Sequence, residues 1–290
     1  MVATIPTACL IPGYQLQELI STGGFGAVYR ALDASSGETV AIKVGQIAEN
    51  PNTPEFRAQL QRDFENEWAS LNRIRSDRIV RPIARGTTVD EKPYLVLEHV
   101  PGVTLNDFRI SVESGFLPFD VRQTSILMLG AVEAVGVLHE SDLIHNDVKL
   151  SNFIVMEDGA VKLCDLGMAK SIQEARKAGS RPYRGTPRYI PVQTVETPQK
   201  DVYALGVAFY HLLTGREISP SSHPLASLFP PPPPSQTRPE RGIARPVDRV
   251  VMKAIHRAPT SRYADANEMA EDLRAIAIPP KTLKRPARRR

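Results

Sequence analysis

The sequence predicts an α+β protein of two lobes, a small antiparallel β-sheet lobe carrying one helix and then a larger helical lobe. Three observations lead there. Between Tyr14 and Glu98 the apolar residues fall mostly in short, β-branched runs; one stretch among them repeats at three and four residues; and after Pro101 and Gly102 helical periodicity takes over. A chain of 290 residues, 42% of them hydrophobic, is long enough to bury a sizeable core.

YQLQELI, AVYRALDA, ETVAIKVG and YLVLEHV read as strands, with a turn at SSGE between the second and third. In EFRAQLQRDFENEWASLNRI the residues Leu60, Phe64, Trp68, Leu71 and Ile74 share one helical face. Past the Pro101–Gly102 break, VRQTSILMLGAVEAVGVLHES, DVYALGVAFYHLLTGR, VDRVVMKAIHRA and ADANEMAEDLRAIA are helical, while NFIVM and AVKLCDL flank EDG as a hairpin. The boundaries expected are an extension over 1–13, lobes over 14–98 and 103–278 joined by a hinge at 99–102, and a basic tail over 279–290. A cleft between two lobes is a usual place for a small-molecule site. The proline run at 230–234 is expected as a stiff surface loop between helices.

The net charge of +4 is local in origin. The last ten residues, KTLKRPARRR, hold six Lys or Arg and no acid, which leaves the rest of the chain at −2. That balance does not call for a nucleic-acid partner. The start, MVATIPTACLIPGY, has no basic region ahead of its apolar residues, and no later run of about 18 uninterrupted apolar residues suggests a membrane span. Two cysteines, Cys9 and Cys164, are too few for a disulfide framework, so a reducing cytoplasm is the expected compartment.

The chemistry-bearing signals are weak one by one. In STGGFGAVY small residues let the backbone approach a polyphosphate; in VAIK a Lys sits among apolar strand residues; Glu67 lies on the helix that follows; HNDVKLSN holds Asp147, Lys149 and Asn152; and LCDLG places Asp165 at a strand end, eighteen residues after Asp147. Each alone has a plain explanation as a turn, an exposed charge or a cap. Their fixed order is what carries weight.

With these residues in place, the chain resembles the eukaryotic-like (Hanks-type) serine/threonine protein kinases of bacterial type, over about Tyr14 to Ile278. GTPRYIPVQ looks like that family's substrate-side loop, DVYALG like the start of its central helix, and Arg262 like its late buried arginine. The resemblance implies the bilobal protein-kinase fold and transfer of the ATP γ-phosphate, with Mg2+, to Ser or Thr hydroxyls of proteins, including autophosphorylation. Lys149 and Thr186 match the serine/threonine branch.

By the same resemblance, Lys43 holds phosphates and Glu67 pairs with it. Asp147 orients the substrate hydroxyl and takes its proton, Lys149 steadies the transferring phosphoryl, and Asn152 and Asp165 hold metal. Ser21, Gly23, Gly24 and Gly26 form the phosphate loop. Val28, Ala41 and Ile154 would enclose the adenine, Leu97 would be the gatekeeper, and the backbone at Glu98 and Val100 would supply hydrogen bonds. Leu71, His145 and Leu166 look like members of a hydrophobic column between the lobes, and Cys164 like a small buried residue that an electrophile in the cleft could reach.

Four positions depart from the family pattern. Ser21 replaces the first glycine of the loop, and Leu166 replaces a Phe. Val192 stands where an acid would pair with Arg262, which is then expected to bond backbone carbonyls or lie partly exposed. Asn146 replaces an Arg that answers to a phosphate in the activation segment, so activity independent of phosphorylation at Ser171, Ser180 or Tyr183 is expected. Two other functions compete: a pseudokinase that binds nucleotide or docks a protein, and a small-molecule kinase.

Overall fold

The computed structural model describes residues 11–23, 26–45, 53–173, 196–218 and 230–278. Its first lobe is a five-stranded antiparallel sheet in the order β1-β2-β3-β5-β4. The strands are β1 (Tyr14–Gly23), β2 (Gly26–Asp33), β3 (Thr39–Val44), β4 (Pro82–Thr87) and β5 (Pro93–Glu98). Because side chains alternate along a strand and paired residues share a face, register sorts the sheet into two sides. Val28 pairs with Lys43, Lys43 with Leu95, and Ala41 with Leu97. These residues therefore share the inner face.

The opposite face buries Ala27, Tyr29, Ala31, Val40, Ile42, Val44 and Val96 with Ile11 as a small core of its own. Ile11 comes from the expected N-terminal extension and is 3% exposed, so part of that extension packs on the sheet.

α1 (Pro54–Arg73) packs against β4 and β5. The Thr53 hydroxyl caps it by accepting from the Phe56 N–H, and Pro54 occupies the first turn, where a missing N–H costs nothing. Leu60, Phe64 and Leu71 are buried as its apolar period implies. Trp68 is only half-buried, with the Arg85 guanidinium 5.5 Å from its ring, and Glu67 takes a buried place instead.

The second lobe is built on α3 (Val121–Glu140) and α4 (Pro198–Thr214). Asp120 caps α3 through the N–H groups of Arg122 and Gln123. α4 opens with Pro198 and stops at Gly215, whose φ of 66° needs a glycine-like freedom. The described part of α4 is buried almost throughout, which makes it the axis of this lobe. α3 passes the length and hydropathy test for a membrane span, and most of it is buried inside the lobe as a core helix. Among the described residues the lobe also holds α2 (Leu105–Glu113), α5 (Pro234–Thr237), α6 (Arg245–Ala254) and α7 (Ala266–Ala277).

Several elements were not expected. β4 (PIARGT) has no β-branched run and begins with Pro, which suits an edge strand. α2 (Leu105–Glu113) has a short period, and its start is set by a capping box in which Thr104 and Asp107 satisfy each other's backbone N–H. Three two-residue strands, β6 (Val103–Thr104), β7 (Leu143–Ile144) and β10 (Lys170–Ser171), are defined by partners distant in sequence. The hairpin over NFIVM and AVKLCDL is present as β8 (Phe153–Val155) and β9 (Val161–Leu163). Of the proline run, Pro234 is buried and starts α5, so the run ends inside the lobe.

Candidate active site

Sheet register and helix period bring three charges from distant parts of the chain together. Lys43 stands on the inner face of β3, Glu67 on the buried side of α1 and Asp165 just past β9. The Lys43 Nζ donates to both Glu67 oxygens, at 2.9 and 2.7 Å, and to Asp165 Oδ1 at 2.7 Å. Lys43 and Glu67 are 6% and 2% exposed, a buried pair, while the Asp165 side chain is 37% exposed and carries the cluster to the surface of the cleft.

Burial alone would pull the Lys43 ammonium down, but Asp165 and Glu67 outweigh it and hold it above the usual lysine range. Asp165 is shifted the other way, since Lys43 overcomes burial and keeps the carboxylate well below the usual range. Glu67 is raised, because burial exceeds the help it receives from Lys43. At neutral pH Asp165 is thus a firmly charged oxygen donor.

Gly167 completes the cluster's walls. A Cβ there would meet a Glu67 oxygen at 3.1 Å, Asp165 Oδ1 at 3.2 Å and the Lys43 Nζ at 3.4 Å, so a side chain would crowd all three. Asp165 itself has φ of 66°, outside the comfortable range of a non-glycine residue.

The loop from His145 to Asn152 lies beside α4. Asp147 Oδ2 accepts from the Lys149 Nζ at 2.6 Å, the Asp147 carbonyl accepts from Asn152 Nδ2 at 3.0 Å, and the Asp147 N–H donates to His145 Nδ1 at 3.2 Å. That last bond puts the proton of the neutral imidazole on Nε2, which is buried with no hydrogen-bond partner among the described residues. Burial lowers the His145 pKa, and the ring packs as an apolar body. Leu71, His145 and Leu166 are all buried.

Asp201, on the first turn of α4, anchors the loop by accepting from the His145 N–H at 2.7 Å and the Asn146 N–H at 2.9 Å. It also accepts from His139 Nε2 at 3.1 Å, while His139 Nδ1 accepts from the Ala266 N–H. Although burial pushes the Asp201 carboxyl up, these donors win and its pKa is lowered. Neither His139 nor Asp201 stood out as a functional residue in the sequence. The available signal was an acid in the first turn of an otherwise apolar helix.

The remaining candidates divide. Ser21 pairs with Val28 across β1 and β2, so it shares the inner face with Val28, Ala41 and Leu97. Gly26 is buried, and a Cβ on it would run into the Val44 carbonyl, so the hairpin closes only around a glycine. Gly23 ends β1 with open space around it, and Gly24 lies outside the described residues. Ile154 and Val100 are half-buried in the larger lobe and the connection between lobes. The Glu98 side chain turns to the other side of the sheet, where it accepts from the Arg81 N–H at 2.9 Å and the Lys162 Nζ at 2.6 Å. Only its backbone could face an adenine.

Cys164 donates to the Asn152 carbonyl at 3.2 Å, and burial pushes its thiol up to about 12. It carries little thiolate at neutral pH and makes a poor target for an electrophile.

Arg262 is 6% exposed, and among the described residues its hydrogen-bond partners are carbonyls and not an acid. It donates to the carbonyls of His256, Gln199 and Arg257 at 2.6, 3.2 and 3.1 Å, with its guanidinium 4.7 Å from the Tyr203 ring centre. The substrate-side segment containing Thr186 and Val192, and the hydroxyls of Ser180 and Tyr183, lie outside the described residues.

Among the described residues no group of three or more His, Cys, Asp or Glu could cage a metal ion. Asp165 and Asn152 supply oxygens in the small number that a hard divalent cation takes from protein when phosphate and water complete its shell. The donor set fits such an ion.

Comparison with known proteins agrees with this geometry. The protein kinase domain family matches residues 14–271. "Probable serine/threonine-protein kinase PknB" of Bifidobacterium longum is 31% identical over 94% of this chain and 41% of its own length. Serine/threonine-protein kinase PknB of Mycobacterium leprae and of Mycobacterium tuberculosis are each 30% identical over 90% of this chain and 42% of their own lengths. The chain spans about two-fifths of the length of these curated relatives. With the match running through both lobes, this chain belongs to the protein kinase domain family.

Proposed function

We propose that this chain is an ATP- and Mg2+-dependent kinase that transfers the γ-phosphate to Ser or Thr hydroxyls of proteins, itself included, on the cytoplasmic side where ATP is supplied. The observation that carries this reading is the buried Lys43–Glu67 pair with its partly exposed third member, Asp165. A lysine held by one acid and offered to a second is a poor structural bargain unless the second charge serves a ligand.

Lys43 would bind the α- and β-phosphates, with Glu67 fixing its direction. Ser21, Gly23, Gly24 and Gly26 let the backbone approach the phosphates, and Val28, Ala41, Leu97 and Ile154 enclose the adenine, with hydrogen bonds from the backbone of Glu98 and Val100. Asp165 and Asn152 would hold the metal, which supplies charge neutralisation at the phosphates.

Asp147 orients the substrate hydroxyl and receives its proton, a task done mainly by position. Lys149, 2.6 Å away, keeps that carboxylate in place and offers its charge to the transferring phosphoryl group. Lys149 also supports the Ser/Thr assignment, as do the names of the relatives. Transfer is expected without activation-segment phosphorylation, so a Ser171/Ser180/Tyr183 triple Ala/Phe variant should keep most of its initial rate.

Labelled ATP and magnesium, given to wild type and to Asp147→Asn, test the reading. Label should appear on wild type and fall by about 100-fold or more in the variant, with nucleotide binding retained. Equal labelling of both would overturn it. A non-catalytic docking module would draw on the departures at Ser21 and Val192, and has less support, since Ser21 keeps the inner-face register.

A further inference from the structure

Asn146 has lost the charge of the family's usual arginine, yet a cation stands beside it. The Lys200 ammonium, 5% exposed at the first turn of α4, donates to Asn146 Oδ1 at 3.0 Å, and Asn146 Nδ2 donates to the Met168 carbonyl at 3.2 Å. We infer that Lys200 is a positioning residue: through the Asn146 side chain it ties the loop carrying Asp147 to the strand end carrying Asp165.

The chemistry at 146 and 200 is matched. A neutral amide presents an acceptor to an ammonium on one side and a donor to a carbonyl on the other. An Arg or Lys at 146 would meet Lys200 with like charge, and an Asp would repel the Met168 carbonyl. Asn also tolerates the local backbone, where φ is 68°. Burying an ammonium is costly, and an aliphatic side chain would fill the space more cheaply, so its bond to Asn146 has to be accounted for.

A second tie runs in parallel. Lys170, two residues past Met168, donates to both Glu196 oxygens at 2.9 and 3.1 Å, and Glu196 lies just before α4. Burial lowers the Lys200 pKa, while the Asp201 and Glu196 charges act to restore it. The segment after Asp165 is thus fastened to the start of α4 at two points, by side chains the chain already carries. Neither fastening uses a phosphate.

The inference rests on Asp147 being the catalytic carboxylate, and its test separates the two. Lys200→Met, Asn146→Leu, the double variant and Lys200→Arg would be made in the full chain. Two measurements apply to each: hydrogen exchange of residues 143–152 and 164–171 without nucleotide, and kcat and the KM for ATP with a pooled Ser/Thr peptide as acceptor.

Lys200→Met and Asn146→Leu should each lower kcat by about 10- to 100-fold, as expected for a misplaced reacting group. KM for ATP should change less than kcat, because Lys43 keeps its own contacts to Glu67 and Asp165. The double variant should be no worse than either single one. Exchange should quicken in both segments and not in β3, and Lys200→Arg should recover part of the rate. Additive losses, unchanged exchange, or a loss that follows only a lower melting temperature would overturn the inference.

Should Lys200→Met fail to fold, Asn146→Asp keeps an acceptor for Lys200 and loses the donor to Met168, and full activity in it would also overturn the inference. If Asp147→Asn proves as active as wild type, the catalytic reading falls, while the exchange data still judge the Lys200 tie.

Discussion

Lys43 serves two acids, and the two respond differently. Asp165 stays charged, whereas Glu67, deeper and raised, needs the ammonium to remain ionised. Glu67→Gln should therefore leave Lys43 on Asp165, competing with any metal there, and lower kcat/KM by about 10- to 100-fold, the equivalent of one hydrogen bond to a charged group. Steady-state kinetics with ATP varied would show it. Arg262→Leu removes the charged donor to three carbonyls, those of His256, Gln199 and Arg257. A loss of about 2–4 kcal/mol is expected, read as a lower urea midpoint at unchanged slope. A neutral result would mean that the Tyr203 ring and packing alone hold the site.

Elements differ in where their limits come from. α1, α3 and α4 were legible because their apolar periods are long and their ends carry Thr53, Asp120 and Gly215. β4, β6, β7 and β10 were not, since two-residue strands and an edge strand exist only through their partners. α2 lies between these cases, set by the Thr104–Asp107 box on a weak period. Thr104→Ala should cost about 1 kcal/mol in chemical denaturation, with little effect on kcat. A larger loss would show that β6, which ends at Thr104, depends on the same hydroxyl.

Over the whole molecule, α4 joins the parts. Its first turns hold the His145–Asn152 loop through Asp201, and the same region meets Arg262 through the Gln199 carbonyl. Asp201 has a lowered pKa when folded, so its stabilisation is complete above the ordinary carboxylate pKa of about 3.9 and is lost as pH falls toward the folded value. Glu67, raised when folded, works in the opposite sense. Comparing wild type with Asp201→Asn isolates the first contribution. The variant should be about 3 kcal/mol less stable at pH 7, and the gap should close as pH drops below about 4. A gap that persists unchanged in acid would mean the loss is steric.

The sequence by itself determined the two-lobed order, the long helices, and the residue types from which the site is built, because period, caps and motif order are local properties of the chain. Tertiary structure decided which groups meet. Sheet register put Val28, Ala41, Lys43 and Leu97 on one face and turned the Glu98 side chain away from it. Packing also decided that Arg262 bonds carbonyls, and that Asn146, which by sequence marks a missing charge, accepts a hydrogen bond from the Lys200 ammonium. Residues 146 and 200 are far apart along the chain, and hydrogen bonds between such groups depend on distances that only the packed core sets.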